Sequence, residues 1–225
     1  MRETIKDYNR KVVEDQIRCD LEICPRCENK PATFKRHDVR QRSLLVVVER
    51  LIIKVMTWMV RRKCSRCGKT FTDYPPFALP YKRFVSPEIL ERSLRYLQDD
   101  TMTYERTTRE LVLGQANGRA PPRRPLPVFY DDPGRAGRLA PSTVHRWITT
   151  LGSLPKTLQT ALSLLLEKDA DIHRQSWDVP PRKYRSQERR RGLLDALRLL
   201  HAEGRFRTFF RCSIFPKLAI SRGWQ

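Results

Sequence analysis

The sequence predicts an α+β protein: a small antiparallel sheet built around four cysteines, followed by a mostly α-helical region that contains a helix-turn-helix. Three observations predict this fold. Two Cys-x-x-Cys pairs flank a segment rich in Val and Ile, a proline-rich joint follows the second pair, and the periodicity after the joint is helical. The chain has 225 residues, of which 40% are apolar, and this is enough to build cores.

The pattern changes three times along the chain and so divides it into four predicted regions. Residues 1–23 form a charged N-terminal extension, and residues 24–75 contain both cysteine pairs. Residues 76–152 form the helix-turn-helix region, and residues 153–225 form a basic helical C-terminal region. Apolar residues at rough helical spacing predict a short amphipathic helix in the extension, with a strand over 12–23 as the alternative.

Runs of β-branched residues predict the strands of the cysteine-containing segment. Thr33–Val39 alternates weakly between apolar and polar, and Leu44–Val48 and Leu51–Val60 are rich in Val and Ile. After them, Tyr74–Pro80 is predicted to be an extended linker, because its prolines cannot donate hydrogen bonds to a ladder. These signals together predict a small antiparallel sheet that ends at the linker.

Start and stop signals predict five helices after the linker. Ser86 followed by a proline and an acid is a strong helix start, Thr103 can cap the second helix, and Gly204 is a stop signal. Five prolines within residues 114–138 predict a long basic loop between the second and third helices. The predicted helices begin at Ser86 and end before Asp99, then span 103–112, 141–150, 155–168 and 186–203.

Four of the six cysteines form two pairs, Cys24 with Cys27 and Cys64 with Cys67. Two thiolates at this spacing on a tight turn can reach one metal ion, and two such turns complete a tetrahedral site of structural zinc. The 36 residues between the pairs (28–63) exceed the common spacing of about 15 to 20, but a meander of strands can return the second pair to the first. Residues 24–75 are therefore predicted to be a zinc ribbon with Zn²⁺ as cofactor.

Three alternatives compete with zinc: disulfides, a redox pair and chance pairing. Disulfides need an oxidising compartment, whereas the chain opens on charged residues with no signal peptide, and no apolar stretch is long enough to span a membrane. A redox pair would need one Cys-x-x-Cys in a βαβ setting. Cys19 and Cys212 are expected to be ordinary thiols. We expect a cytoplasmic, nucleoid-associated protein with reduced cysteines and no membrane partner.

The charge of the chain predicts a polyanionic partner. Lys and Arg number 45 against 25 acidic residues, for a net charge of +20. Such an excess makes the compact state repel itself, and nucleic acid is a better reason for it than an anionic membrane. The alternative is a merely soluble basic protein. Five cations close to the cysteines in sequence would offset the thiolates and can face phosphate: Arg26, Arg62, Lys63, Arg66 and Lys69.

The helix that begins at Pro141 is predicted to read DNA. Its apolar residues share one face: Val144, Trp147, Ile148 and Leu151. Its polar and basic residues lie elsewhere, toward solvent, and suit the major groove: Ser142, Thr143, His145, Arg146 and Thr149. Arg146 can read guanine or bind phosphate. An ordinary amphipathic helix is the alternative interpretation.

Three arginines at the start of the last helix complete the predicted DNA contacts. Arg189, Arg190 and Arg191 lie where positive charge opposes the helix dipole, and contact with phosphate would rationalise this placement. A solvated arginine run is the alternative. Affinity would come from phosphate neutralisation, and specificity from the face of the third helix.

In the order of these parts, residues 20–152 resemble the N-terminal DNA-binding region of bacterial insertion-sequence transposases and related stand-alone proteins. The matching features are Cys24-x-x-Cys27, the hydrophobic strands, Arg61-Arg62-Lys63-Cys64-x-x-Cys67 with Phe71-Thr72, the proline-rich joint, Tyr104–Leu111 and Ser142–Trp147. This resemblance implies sequence-directed binding of double-stranded DNA, for recognition of mobile-element ends or for regulation. A transposase or another mobile-element protein is the partner protein that it implies.

The sequence predicts no catalytic domain. A transposase nuclease domain needs alternating strands and helices over more than a hundred residues, whereas the 75 residues after Thr150 have helical and basic-loop patterns. No P-loop, metalloprotease motif or nucleophile motif is found. Two other interpretations stay open: an RNA-binding zinc-ribbon protein, and a fragment of a catalytic transposase that lacks its nuclease domain.

Overall fold

A computed structural model describes residues 1–19, 21, 23–48, 51–109, 139–169, 172 and 186–215. Within them the elements are α1 (Arg2–Val13), β1 (Phe34–Val48), β2 (Leu51–Cys64), β3 (Thr70–Asp73), α2 (Ser86–Gln98), α3 (Tyr104–Arg109), α4 (Pro141–Gly152), α5 (Pro155–Leu166) and α6 (Gln187–Phe210). The predicted α+β class and small antiparallel sheet are confirmed. None of the helices in these ranges has the length and apolarity to cross a membrane.

The sheet is a long hairpin with a short third strand at one end. β1 pairs with β2 in antiparallel register from Phe34 opposite Cys64 to Val48 opposite Leu51. β3 pairs with the last residues of β2, and the strand order is β1-β2-β3. One extra residue in β1, His37, forms a bulge. The two runs expected over 33–48 are one continuous strand, because the polar residues between them also pair with β2.

Helix α1 covers the part of β2 that β3 leaves open. Three of its apolar side chains are buried against the sheet: Ile5, Tyr8 and Val12. The side-chain amide of Asn9 bonds to the exposed edge of β2 as a neighbouring strand would. Its Nδ2 donates to the Met56 carbonyl oxygen (3.1 Å), and its Oδ1 accepts from the Trp58 N–H (3.1 Å). An open strand edge invites pairing with other chains, and this contact satisfies it within the chain.

The segment 74–80 is not the extended linker that its prolines predict. Phe77, Ala78 and Leu79 are almost fully buried, and Ala78 forms a bridge with Val85. Phe77 and Ala78 belong to the core of the sheet, while Leu79 belongs to the core of the helices. The prediction fails because the apolar side chains between the prolines fill the space where the two cores meet.

The end of the hairpin near the β1–β2 turn docks on the helical region. The Leu45 N–H donates to the Arg83 carbonyl oxygen (2.7 Å), and Leu45 forms a parallel bridge with Phe84. The ring of Phe84 packs edge-on against Trp147 of α4, with 5.2 Å between ring centroids. Strand β1 is therefore linked to α4 through Phe84, and Leu45, Val47 and Ile52 of the sheet pack in the same core.

Helix α6 is the centre of the helical region and is longer than expected. It packs against α2, α4 and α5. The stop predicted at Gly204 is wrong, because the helix continues to Phe210 and ends at Arg211 in a left-handed conformation (φ 55°). Phe206 is fully buried. This packing outweighs the roughly 1 kcal/mol that a helical glycine costs.

The predicted cap at Ser86 is also wrong, whereas the one at Thr103 is confirmed. Val85 holds the N-cap position of α2, and the buried Ser86 hydroxyl donates to the Pro76 carbonyl oxygen (3.3 Å). Ser86 therefore fastens the segment before the helix. Thr103 Oγ1 accepts the Arg106 N–H (3.1 Å) at the start of α3. The predicted end of this helix at 112 and the loop 114–138 lie outside the described residues.

Two glycines meet where α4 crosses α6, and they give a matched test of this packing. A Cβ built on Gly152 overlaps the backbone carbonyl of Gly192, whereas a Cβ on Gly192 meets nothing within 4 Å. We expect Gly152→Ala to lower the free energy of unfolding by about 1–3 kcal/mol, because the helices must move apart. Gly192→Ala should raise it by up to about 1 kcal/mol. Urea denaturation of both variants measures the difference, and equal stabilities would contradict the crossing.

Candidate functional site

The two cysteine pairs meet at the end of the hairpin away from the helices. Cys24 and Cys27 lie in a turn before β1, while Cys64 ends β2 and Cys67 lies in the turn to β3. The register of the hairpin places Phe34 opposite Cys64, so the second pair returns to the first. The four Sγ atoms lie within 4.8 Å of one another, and this cluster can hold a metal ion.

The two turns share one backbone geometry. The Glu28 N–H donates to the Cys24 carbonyl oxygen (2.8 Å), and the Gly68 N–H donates to the Cys64 carbonyl oxygen (3.0 Å). Glu28 and Gly68 occupy the same place in each turn, and both are left-handed, with φ of 56° and 69°. The repetition of this turn aims both pairs of sulfurs at a common centre.

The spacing of the sulfurs fits a four-coordinate metal. A tetrahedral site with metal–sulfur bonds of about 2.3 Å needs sulfurs about 3.8 Å apart. Cys24 Sγ and Cys67 Sγ are 3.9 Å apart, and the Arg26 N–H points at Cys24 Sγ (3.4 Å). None of the six cysteines forms a disulfide, and Cys19 and Cys212 lie outside the cluster.

The thiols of the cluster differ in their affinity for protons. Backbone N–H groups, that of Cys67 foremost, lower the pKa of Cys64 to about 7. The Asn29 N–H lowers the pKa of Cys27. Burial raises the pKa of Cys24 to about 12, and a bound cation would favour loss of this proton.

Of the five cations expected around the cysteines, Arg62 has a different role. Its side chain is buried, Nε donates to Asp73 Oδ2 (2.9 Å), and Nη2 donates to the Ile17 carbonyl oxygen (2.7 Å). Arg62 therefore fastens the chain after α1 to the sheet and does not face phosphate. The other four are exposed: Arg26, Lys63, Arg66 and Lys69.

Helix α4 buries one face and exposes the other, as its periodicity predicts. The buried residues are Val144, Trp147, Ile148 and Leu151. Four of the predicted DNA-contacting residues on this helix are exposed and Thr143 is half-buried; the exposed ones are Ser142, His145, Arg146 and Thr149. Most of the polar face is therefore exposed to solvent.

Lys82, which sequence reasoning missed, lies at this polar face. Its Nζ donates to Thr150 Oγ1 (2.8 Å), and that hydroxyl donates to the Arg146 carbonyl oxygen (2.7 Å). Lys82 is 68 positions from Thr150 in the chain, and no local pattern marks it. The position follows from the docking of the segment 74–85 between the two cores.

Arg189 reaches the same face from the first turn of α6. Its guanidinium donates to Thr149 Oγ1 (3.0 Å) and to the Tyr104 hydroxyl (2.5 Å), and the Tyr104 ring packs edge-on against His145. Arg190 and Arg191 follow it and are exposed. We name the group that surrounds the polar face the α4 cation cluster; its members are Lys82, Arg146 and Arg189, and His145 lies beside them.

Burial and neighbouring positive charge disfavour protonation of Lys82 and His145. Burial and the charge of Arg146 lower the pKa of Lys82. Burial, then Arg189 and Arg146, lower the pKa of His145. Across the ranges that the structure describes, no carboxylate forms an ion pair with Lys82, Arg146 or Arg189. Among the described residues this face therefore carries excess positive charge, which an anion would offset.

No protein-family model, no curated protein and no solved structure matches this chain. Its function therefore has to be argued from the cysteine cluster and the α4 cation cluster.

The cysteine cluster can be tested by metal content. We expect protein purified under reducing conditions to carry about one metal ion per chain, and Cys24→Ser and Cys64→Ser to lose it, because a serine hydroxyl does not replace a thiolate ligand. Cys212→Ser, outside the cluster, is the matched control and should keep the metal. Elemental analysis measures the ratio, and wild-type metal content in Cys24→Ser would contradict the site.

Two substitutions test the left-handed turns: one introduces glycine at Glu28, and the other removes it at Gly68. We expect Glu28→Gly to raise the stability of the metal-loaded protein by about 1 kcal/mol, because glycine adopts the positive φ without the cost that a side chain adds. Gly68→Ala should lower stability by a similar amount. Thermal unfolding of both variants checks the signs, and a loss of stability in Glu28→Gly would contradict the shared geometry.

Proposed function

We propose that this protein binds double-stranded DNA through the exposed face of α4. The observation that carries the proposal is the α4 cation cluster, in which cations from three parts of the chain surround a short polar helix face. A helix that packs its apolar side inward and shows Ser, Thr, His and Arg outward suits the major groove. The net charge of +20 supports a polyanionic partner.

Each residue of this face has a role in the proposal. Arg146 and Arg189 contact phosphate or the edge of guanine, as arginine does with two donors at once. Ser142 and Thr143 lie at the start of α4, where hydroxyls and backbone N–H groups suit a phosphate. His145 and Thr149 face the bases, and they supply what sequence preference the protein has.

We propose zinc for the four cysteines, which makes residues 24–75 a zinc ribbon. Four thiolates in tetrahedral geometry are the usual ligands of structural zinc, and no position is left open for catalysis. Apart from the cysteines, the described residues at this end of the sheet form a small core around the edge-on pair of Phe34 and Phe71, whose centroids are 5.2 Å apart. Such a small core gains its stability from a metal.

The relation to insertion-sequence transposases is part of the same proposal. Helix α3 packs against α4, as the two helices of a helix-turn-helix do, and α4 is then the recognition helix. The protein would recognise the ends of a mobile element or regulate it, with no catalytic domain of its own. A transposase or another mobile-element protein would be its partner.

The salt dependence of duplex binding tests the interface. If about six phosphates are contacted, the logarithm of affinity should fall with the logarithm of salt with a slope near −5. Arg146→Gln and Arg189→Gln should each weaken binding and reduce the slope by about 1. Fluorescence anisotropy with a labelled duplex measures both quantities.

A matched arginine on the same helix provides the control. Arg198 of α6 has a half-exposed side chain, lies 3.9 Å from Asp195 and is outside the α4 cation cluster. Arg198→Gln should bind duplex DNA as the wild type does. Tighter binding to an RNA hairpin than to the duplex would replace this proposal with the RNA-binding alternative. Equal losses in all three arginine variants would contradict the assignment of the interface to α4.

A further inference from the structure

The turn that carries Lys82 presents a tyrosine to solvent. Tyr81 is 66% exposed, whereas Leu79 and Phe84 on either side of it are buried. The Lys82 N–H donates to the Leu79 carbonyl oxygen (3.2 Å), which closes a tight turn with Pro80 and Tyr81 at its centre. An aromatic side chain is thus held on the surface at the tip of a short turn.

The backbone of Tyr81 adopts a conformation that is typical of glycine. Its φ is 58°, in the left-handed region that a bulky residue rarely adopts. A turn with proline at its second position and a positive φ at its third has the pattern of a type II turn, which strongly favours glycine or asparagine at the third position. Local preference therefore does not explain a tyrosine here, and neither does packing, because the ring is exposed.

The turn is fixed on its C-terminal side. Arg42 of β1 donates to the Lys82 carbonyl oxygen (3.1 Å), and its guanidinium lies over the Tyr74 ring, 5.7 Å from the centroid. The next carbonyl oxygen, that of Arg83, accepts the Leu45 N–H (2.7 Å). A side chain on such a fixed turn is ordered before it binds, so little conformational entropy is lost on contact.

From this placement we propose that Tyr81 stacks on a nucleobase of the DNA held by the α4 cation cluster. The inference rests on the proposed function. Lys82, the next residue, contacts Thr150 of α4 and belongs to the cluster. Proteins hold an unstacked base by combining cations, which bind the phosphates, with an exposed aromatic ring, which stacks on the base. Tyr81 would open a base step at the edge of the site that α4 reads.

Two labelled duplexes test the proposal without knowledge of the target sequence. One is a perfect duplex of about two helical turns, and the other is the same duplex with a single bulged nucleotide. The wild type should bind the bulged duplex more tightly, because its unpaired base is already free to leave the stack. Tyr81→Ala should weaken binding of both by about five- to a hundredfold and lose the preference for the bulge. Tyr81→Phe should retain both properties, because it keeps the ring.

Two further variants separate stacking from folding. Tyr81→Gly removes the ring and relieves the left-handed backbone, so its melting temperature should equal or exceed that of the wild type while its affinity falls. Phe209→Ala removes another exposed aromatic, about 30 Å along α6 from Arg189, and should bind as the wild type does.

The outcomes distinguish this inference from the proposed function. If the wild type binds duplex DNA and Arg146→Gln weakens it, but all Tyr81 variants bind like the wild type, the stacking role is overturned and the interface stands. The stacking role is also overturned if Tyr81→Phe loses as much affinity as Tyr81→Ala, because the hydroxyl would then make the contact. If the wild type binds neither duplex, both proposals fall together.

Discussion

The closure of one long hairpin by four sulfur atoms is the constraint on which the rest of the structure depends. Strand pairing alone specifies the register of β1 and β2 poorly where polar residues face each other, and a slip of one residue would turn every side chain to the opposite face. The cysteine cluster supports the observed register, because Cys24 lies beside Cys64 at the end of the hairpin where Phe34 pairs with Cys64. The same register sets where Leu45 lies, and Leu45 holds Arg83 and Phe84. The geometry of the cysteine end is thereby linked to the placement of α4 at the other end.

The cations of the protein fall into two groups: some pair with acids within the fold, and others gather at α4. Arg62 is buried with Asp73 and a carbonyl oxygen, and Arg92 pairs with Glu88 on α2, so these cations have partners within the fold. The α4 cation cluster is the reverse case, because within the described ranges Lys82 and Arg189 donate to hydroxyls and none of its cations forms an ion pair with a carboxylate. This contrast supports the proposed DNA interface more strongly than net charge does.

The cysteine cluster and the two faces of α4 could be predicted from sequence, because each depends on spacing within a few residues. The strands and most helix starts follow from local patterns for the same reason. Ser86, Gly204 and the segment 74–80 were predicted wrongly, because distant groups decide them: the Pro76 carbonyl, the packing around Phe206, and the two cores that meet at Phe77 and Leu79. Lys82 and Arg189 join α4 from 68 and 40 positions away, so no single-sequence pattern could place them together.

The contact between Asn9 and β2 also orders events during synthesis. Asn9 leaves the ribosome well before its partners, which lie 47 and 49 positions later at Met56 and Trp58. A nascent chain folds from its N-terminus. The helix that will cover the strand edge is therefore already outside the ribosome when that strand emerges, and a neighbouring nascent chain has little time to pair with it. If the same helix followed the sheet in sequence, it would protect the finished protein equally well. The strand edge of the growing chain, however, would be open to pairing with neighbouring chains.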